Sequence, residues 1–498
     1  MRQSLLILAF CLALLLASPL SATTYFVTQS GAGSQNGLSL ANAWSVANYN
    51  ASGIPTGGDT VFFSGTLTSP LVIATSGTGN GAGRLTLDFS GSCGGCTVVT
   101  LNVGNLNVIN MNNKNFITLN GGNSIAAPTG AATFAAFNGT QITCKNSNGS
   151  AQTGHDFTIQ GFIYTGPTAG TGDFFQGGRC TNVLIQNNWA DNLSHLVNYF
   201  QGSVSNITVL NNFGRTSTDT TTDNDVIQIA DSINVTIQGN KLVDQAPGNS
   251  VPASHNDVIQ TFQSGSTPSQ KPSNWIIRYN WIETAQQVGS GGNTSWTEMQ
   301  NFTGQPAAQV YGNVFVGNAV PQAGGNGFVF HSGTNASDTY YVYNNTFWAH
   351  QAPLNPIRLG VGDGPGTLFL RNNAAGDDTT GQGIQATFLA GATWDNNAFY
   401  QYSNCSSTFI GSNGSCSLTP AAFASTSGNN FSAASGSVLI SAGDSSIGAA
   451  YNQGIAPGAT WPNPALNTRV TGAWDVGAFQ QGTTTAVSPP TSLTAVVH

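Results

Sequence analysis

The sequence contains very few charged residues. Only 6% of its 498 residues are Asp, Glu, Lys or Arg, and 12 basic against 20 acidic residues give a net charge of -8. Nucleic-acid binding needs a basic surface that neutralises phosphates, so this composition argues against nucleic acid as a partner. Hydrophobic residues still make up 40% of the chain and aromatic residues 10%. That content argues against disorder and allows a large core.

Long hydrophobic runs are also scarce. The longest, residues 5–16, follows Arg2 and precedes a small-residue stretch at 18–22. It is shorter than the roughly 20 residues of a membrane span and has the layout of a secretory signal peptide. We therefore expect residues 1–22 to be a signal peptide, the mature protein to be exported to the extracellular space or periplasm, and no membrane insertion.

The cysteines are few but even in number once the signal peptide is removed. Cys11 lies within the signal, which leaves six. An even number in an exported chain favours disulfides. The expected pairs, in order of plausibility, are Cys405 with Cys416 and Cys144 with Cys180. Cys93 and Cys96 form a CxxC motif that suits a tight disulfide better than a redox pair or half a metal site.

A sustained 3.6-residue period is missing, which argues against helices alternating with strands. Instead, an alternating apolar–polar unit recurs and ends in Asn. Its copies, 24 to 40 residues apart, end at Asn188, Asn212, Asn240, Asn280, Asn313, Asn345, Asn373 and Asn397. Each unit has room for two or three short strands. It fits one coil of an all-β parallel solenoid, in which stacking aligns the Asn side chains in a ladder.

These units resemble the coils of pectate-lyase-like proteins. The likeness rests on segments such as "NVTIQGN", on the opening "TTYFVTQSGAGSQNG" and on the closing "WDVGAFQ". The resemblance implies a right-handed parallel β-helix of roughly ten or more coils. We expect an N-terminal cap and first coils over residues 23–100 and the β-helix over 101–480. The tail 481–498 resembles the start of a fibronectin type III strand.

A second column precedes the Asn ladder. It consists of four-residue segments with an apolar third position, at 173–176, 198–201, 225–228, 257–260, 297–300, 328–331 and 355–358. Since strand side chains alternate, an inward third position sends the second and fourth outward. The fourth-position residues predicted to face solvent are Gln176, Gln201, Gln228, Gln260, Gln300, His331 and Arg358, with Phe174, Tyr199 and Glu298 from the second position.

Asp225 and Asp257 occupy the same position in two consecutive copies of "DVIQ". Adjacent coils lie about 4.8 Å apart, so we expect their carboxyl groups within roughly 5 to 7 Å of each other. Asp223 and His255 each precede one of them by two residues and should border the pair. Close carboxylates shift each other's pKa unless a cation or proton lies between them.

The sequence therefore predicts a carbohydrate-active protein that cleaves a polysaccharide. Hydrolysis needs an acid and a base or nucleophile flanking the bond, whereas β-elimination needs a base and a neutralised uronic carboxylate. The candidate catalytic residues are Asp225, Asp257, Asp223, His255, Glu298, His331 and Arg358. The candidate substrate-binding residues are Gln176, Tyr199, Gln201, Gln228, Gln260 and Gln300. No cofactor is required, although Asp223, Asp225 and Asp257 could hold Ca²⁺.

Two non-enzymatic hypotheses remain: a glycan-binding adhesin and a structural extracellular solenoid. The order of acids, His and Arg is loosely similar to polygalacturonase-type β-helix hydrolases, but the Gly-His-Gly and Arg-Ile-Lys signatures are not intact, so that mechanism is not carried over. The two Asp residues discriminate between the hypotheses. A structural solenoid predicts both side chains buried against backbone N–H groups, and an enzyme predicts them exposed in a groove.

Overall fold

The computed structural model describes most of the chain from residue 22 onward. The described residues are 22–104, 107–122, 133–134, 140–144, 153–166, 172–199, 202–217, 224–245, 256–265, 270–284, 294–317, 326–330, 337–349, 355–359, 366–376, 385–386, 392–401, 405–469, 472 and 474–481. The expected signal peptide, apart from residue 22, and the fibronectin-like tail, apart from residue 481, lie outside these residues.

The described strands form three long parallel sheets. The first sheet has fourteen: Thr24–Thr28, Trp44–Ser45, Thr60–Phe63, Leu85–Asp88, Asn115–Asn120, His155–Gln160, Thr181–Gln186, Val204–Leu210, Ser232–Gln238, Ser273–Arg278, Ala308–Tyr311, Thr339–Tyr343, Thr367–Arg371 and Ala392–Asp395. The second has twelve: Thr66–Leu67, Thr100–Leu101, Thr133–Phe134, Ile163–Thr165, Trp189–Leu193, Phe213–Thr216, Lys241–Asp244, Trp281–Thr284, Val314–Gly317, Thr346–Trp348, Ala374–Gly376 and Ala398–Phe399.

The third sheet has eleven described strands: Leu71–Val72, Ile109–Asn110, Ile142–Thr143, Phe175–Gly177, Val197–Tyr199, Ile227–Ile229, Asn256–Thr261, Thr294–Met299, Asn326–Phe330, Asn355–Leu359 and Gln385–Ala386. Each strand pairs with the strand one coil before and one coil after it. From Thr60–Phe63 onward the chain visits the first, second and third sheets in turn, and every pairing between coils is parallel. This is a right-handed parallel β-helix, which confirms the expected fold class and the expected number of coils.

Alternation within each strand builds the interior. In Thr181–Gln186 the side chains of Val183 and Ile185 are buried, while the intervening Leu184 is only partly so. Register places Val183 beside Ile207, and Ile207 beside Val235, on successive coils. The inward residues of all three sheets thereby form one continuous hydrophobic core, which a single coil could not bury alone.

The predicted Asn ladder is confirmed at the corner between the first and second sheets. All eight Asn side chains are fully buried. Each Nδ2 donates to the Oδ1 of the next Asn at 2.9 to 3.1 Å, and each backbone N–H donates to the same oxygen. The residue before each Asn has a positive φ, as at Asn187 and Asn211. The ladder thus satisfies the polar groups of a buried turn, which would otherwise be costly.

Residues outside the three sheets cap the N-terminal end and cover part of the outer surface. The helix Val46–Ala51 begins at Ser45, whose hydroxyl accepts from the N–H of Asn48, and it buries Tyr49 against Phe63. The other described helices are Leu40–Asn42, Gly81–Gly83, Ser407–Ile410, Pro420–Ala422, Ser445–Ile447 and Ala449–Tyr451.

The described coils end at Ala398–Phe399, earlier than the expected boundary at residue 480. After residue 405 the chain folds back along the outside of the helix. We call residues 418–480 the return segment. It contains two short antiparallel pairs, Phe423–Ser425 with Asn430–Ala433 and Gln453–Ile455 with Leu466–Thr468. It forms a second hydrophobic cluster on the outer faces of the later coils. "WDVGAFQ" belongs to this segment and not to a coil.

All three expected cysteine pairs are disulfides: Cys93–Cys96, Cys144–Cys180 and Cys405–Cys416. Within the described residues, no helix has the length and apolar character of a membrane span.

Candidate functional site

One register position of the third sheet carries a column of polar side chains on the outer side of the coils. Its members on five successive coils are Gln176, Asn198, Gln228, Gln260 and Glu298. We call them the amide column. Three residues before each lies a second set, Asp173, His195, Asp225, Asp257 and Ser295, which we call the acid column. The underlying sequence pattern is therefore Asp or His, two mostly apolar residues, then Gln, Asn or Glu.

The observed register corrects three of the predicted segments, one by three residues and two by two residues. Val197 pairs with Ile227, so the coil contributes "HLVN" at 195–198 and not "NYFQ". Thr297 pairs with Ile259, which puts Glu298 and not Gln300 beside Gln260. The shift of two residues preserves the inward–outward alternation, so the apolar pattern cannot detect it, whereas the shift of three residues at 195–198 reverses the direction of each side chain.

The shift of two residues also affects the end of the column. Phe328 pairs with Thr297, so Val329 takes the position predicted for His331. Arg358 pairs with Val329 and keeps its predicted register. Gln201 falls three residues after Asn198, outside the column. Gln201 and His331, like Asp223 and His255, are outside the described residues.

Tyr199 and Phe174 do not face solvent as predicted. Tyr199 lies in Val197–Tyr199 on the same face as Val197, is fully buried, and packs against Phe175 with ring centroids 5.6 Å apart. Phe174 is also fully buried. The wrong register caused the error at Tyr199, because a shift of three residues moves each side chain of the strand to the opposite face. Neither ring is available to stack on a sugar.

Asp225 and Asp257 occupy equivalent positions on adjacent coils, as expected from the pairing of Ile227 with Ile259. Both side chains are fully buried. One carboxylate oxygen of Asp225 accepts the backbone N–H of Asp257 at 2.7 Å, and the other accepts the Gln228 amide at 2.9 Å. The burial of both side chains is the outcome that the structural hypothesis predicts, and for Asp225 the predicted backbone N–H partner is present as well. The expected separation of the two carboxyl groups stays a prediction.

The amides link the two columns. Gln228 donates to Gln260 at 2.7 Å as well as to Asp225. Gln260 donates to Asp257 at 3.4 Å. Both glutamines are nearly buried, with 6% and 4% of their surface exposed, so they contact solvent much less than the sequence predicted. Glu298 is half-buried and accepts a hydrogen bond from Gln300.

The donor set of Asp225 does not fit the predicted calcium ion. Ca²⁺ takes carboxylate and carbonyl oxygens as ligands, whereas both oxygens of Asp225 already accept N–H groups. Among the described residues, no group of three or more His, Cys, Asp or Glu side chains is arranged to hold a metal. We derive no chemistry through a metal at this site.

The structure adds a pair that sequence reasoning missed. Nδ1 of His195 lies 2.7 Å from one carboxylate oxygen of Asp173, and the other oxygen accepts the amides of Gln176 at 3.1 Å and Asn198 at 3.2 Å. Asp173 and His195 are only 7% and 8% exposed. The signal was present in "HLVN", where His precedes Asn by three residues as Asp precedes Gln elsewhere.

Three solved structures are similar to this chain in overall architecture. Pectate lyase Pel9A matches with a TM-score of 0.43 and 16% identity over 93% of this chain and 97% of that one. A structure of XylC with xylose matches with a TM-score of 0.43 and 7% identity over 80% of this chain and 87% of that one. The GH136 lacto-N-biosidase from Eubacterium ramulus matches with a TM-score of 0.30 and 10% identity over 70% and 68%.

No protein-family model matches the chain, and no curated protein matches it.

Proposed function

We propose that this protein is an exported, carbohydrate-active β-helix that binds a polysaccharide along the third sheet and cleaves it. The supporting observation is the concentration of titratable groups in the acid column. Asp173, His195, Asp225 and Asp257 follow one another on four successive coils, in a chain with only 20 acidic residues and 6 His. The amides beside them are donors and acceptors for sugar hydroxyls.

The spacing of the coils suits glycoside cleavage. Adjacent coils lie about 4.8 Å apart, so groups one or two coils apart are separated by roughly 5 to 10 Å. The two catalytic groups of glycosidases lie about 5 to 9.5 Å apart. We assign the acid to Asp257, whose coil lies between that of Asp225 and that of Glu298. Glu298, one coil further along, is the partly exposed carboxylate on that side.

The proposed partner is a polysaccharide, bound through Gln176, Gln228 and Gln260 with Arg358 at the far end of the column. Hydrolysis is the favoured reaction, because a chain this poor in Lys and Arg offers few groups to neutralise a uronic acid. Elimination remains the alternative mechanism. Export is supported by the signal-like N-terminus and the three disulfides, since disulfides persist in oxidising compartments.

A non-catalytic solenoid is the second candidate, favoured by burial and by one contact. Asp225 and Asp257 are both fully buried, and Asp225 accepts the backbone N–H of Asp257. If every member of the acid column serves this way, the column stiffens the helix and the protein only binds glycans.

The experiment is a panel of plant, algal and bacterial polysaccharides, assayed for new reducing ends and for the ultraviolet absorbance of an unsaturated product. Reducing ends alone indicate hydrolysis, and both signals indicate elimination. We expect Asp257→Asn to lower the rate by about 10²- to 10⁴-fold. The matched control is Asp338→Asn, since Asp338 is also buried and accepts a backbone N–H, from Gly304, away from the third sheet.

Two results would contradict the proposal. One is the absence of cleavage on every polysaccharide tested, which supports the non-catalytic candidate if binding persists. The other is a fully active Asp257→Asn variant alongside an active wild type, which places the site elsewhere.

A further inference from the structure

We propose that His195 and Asn198 hold the reacting water, that Nε2 of His195 accepts its proton, and that Asp173 is the positioning residue. This inference rests on the proposed function and assigns the group that activates water. It also makes the hydrolysis independent of Glu298.

The hydrogen bond to Asp173 orients the imidazole. A neutral imidazole carries one N–H and one acceptor nitrogen, and the partner of one nitrogen decides which is which. Nδ1 lies 2.7 Å from a carboxylate oxygen of Asp173, which can only accept. Nδ1 therefore carries the hydrogen, and Nε2 presents its lone pair on the opposite side of the ring.

Two buried polar atoms of this cluster have no hydrogen-bond partner among the described residues. They are Nε2 of His195 and Oδ1 of Asn198. The two residues are three apart in the chain, and the Asn198 amide nitrogen lies 3.4 Å from Nδ1 of His195. A buried polar atom left without a partner costs about 1–3 kcal/mol, so native proteins keep such atoms where water or a ligand satisfies them. One water donating to both acceptors accounts for the pair.

The groups around His195 allow it to act as a base. Asp173 occupies the equivalent position on the preceding coil, and Asp225 occupies it on the following coil. The nearby tyrosines do not compete with His195 as proton acceptors. Burial, reinforced by the negative charge of Asp173, raises the pKa of Tyr164, and burial raises the pKa of Tyr199. Both hydroxyls therefore stay protonated at neutral pH, and the carboxylates stabilise the imidazolium that forms.

The reaction balances within the acid column. Nε2 takes one proton from water, whose oxygen forms a bond to the anomeric carbon while the glycosidic bond to that carbon breaks. The leaving oxygen takes a proton from the carboxylic acid of Asp257. Solvent then carries the proton of His195 back to Asp257. The positions of His195 and Asp257 in the acid column are two coils apart, which corresponds to roughly 9.6 Å. This separation is at the long end of the range for catalytic pairs that hold a water between them.

The test uses full-length protein on a polysaccharide that the wild type cleaves. His195→Gln should lower kcat by about 10²- to 10⁴-fold with KM nearly unchanged. Asp173→Asn should also lower kcat with KM nearly unchanged, because the imidazole loses the carboxylate that fixes its tautomer and orientation. The matched control is His155→Gln: His155 also pairs with an Asp, Asp156 at 2.5 Å, but on the outer face of the first sheet. It should leave the rate unchanged.

A second readout is independent of activity. In ¹⁵N-histidine-labelled wild type, NMR should show neutral His195 protonated at Nδ1, with the signal assigned by its loss in His195→Gln. Thermal unfolding of each variant shows whether it folds. If His195→Gln folds and keeps the wild-type rate, or if Glu298→Gln alone abolishes the activity, the inference is wrong while the proposed function stands. If the wild type cleaves nothing, the proposed function fails, and an Nε2-protonated tautomer also overturns the inference.

Discussion

The first sheet carries an exposed polar ladder in its middle coils and a covered aromatic face in its late coils. In the middle coils, Asn182, Asn206, Asn234 and Asn274 form an outer ladder, in which each later amide donates to the preceding Asn at 2.7 to 2.9 Å, and three of the four are exposed. In the late coils, the same face presents tyrosine and phenylalanine side chains, which the return segment covers. The inward-facing residues repeat from coil to coil, whereas the outward-facing residues differ according to whether another segment packs against them.

The largest expected effect is at the covered face. Tyr451 of the return segment packs edge-on against Tyr311 and Tyr343, with ring centroids 4.9 Å apart in both pairs, and is 8% exposed. Tyr451→Ala should lower the free energy of unfolding by about 3–5 kcal/mol, as for other buried aromatic truncations. Urea unfolding measures the change.

Tyr451→Phe is the control, since it keeps the ring and loses only the hydrogen bond to Gln309. It should cost about 0.5–1.5 kcal/mol. An equal loss in both variants would mean that the hydroxyl, and not the packed ring, holds the return segment.

The buried Asn ladder should contribute equally to the free energy of unfolding whether or not the return segment covers the outer face. Asn212 lies under the open face and Asn313 under the covered one, yet both are fully buried and make the same bonds to the next Asn. Asn212→Ala and Asn313→Ala should each cost about 2–4 kcal/mol, because each leaves buried backbone and amide groups without partners. In urea unfolding, values differing by more than about 1 kcal/mol would show that the return segment also strengthens the interior.

Alkaline pH should destabilise the covered face. Burial, with a smaller contribution from Tyr311, raises the pKa of Tyr279 well above its ordinary value of 10.0. A group whose pKa is raised on folding contributes fully below its unfolded pKa and loses that contribution above it. Stability should therefore fall above pH 10, by about 1.4 kcal/mol per pH unit for this tyrosine.

Tyrosinate absorbance and urea unfolding between neutral pH and pH 11 would follow this loss. Tyr279→Phe should reduce the loss of stability per pH unit above pH 10. An unchanged loss per pH unit would assign the alkaline transition to other groups.

The smallest effect is expected in the outer ladder. Asn234 is exposed, so water replaces the bonds to its neighbours when the side chain is removed. Asn234→Ala should change the free energy of unfolding by less than about 0.5 kcal/mol. Asn234 also has a positive φ of 57°, so Asn234→Gly tests the backbone alone. A loss of several kcal/mol in urea unfolding of the Ala variant would show that an exposed amide ladder stabilises the helix as a buried one does.

Much of the architecture could be predicted because it repeats. Each coil alternates apolar and polar residues and turns at an Asn, so eight copies reinforce one interpretation. The disulfides could be predicted because only six cysteines needed partners. The column of the third sheet could not be aligned, because "HLVN" and "NYFQ" lie three residues apart and both place an amide after an apolar third position. Because of this error, sequence reasoning missed His195 and wrongly predicted that Tyr199 faces solvent.

The sequence by itself determined the coil, its inward residues, its Asn ladder and the approximate position of Asp225 and Asp257. The tertiary structure decided the register of the third sheet, the burial of the two Asp residues, the Asp173–His195 pair and the path of the return segment. The physical reason is the range of the interactions. Alternation and turn chemistry act within a few residues, whereas pairing between coils and the covering of an outer face join residues far apart in the chain.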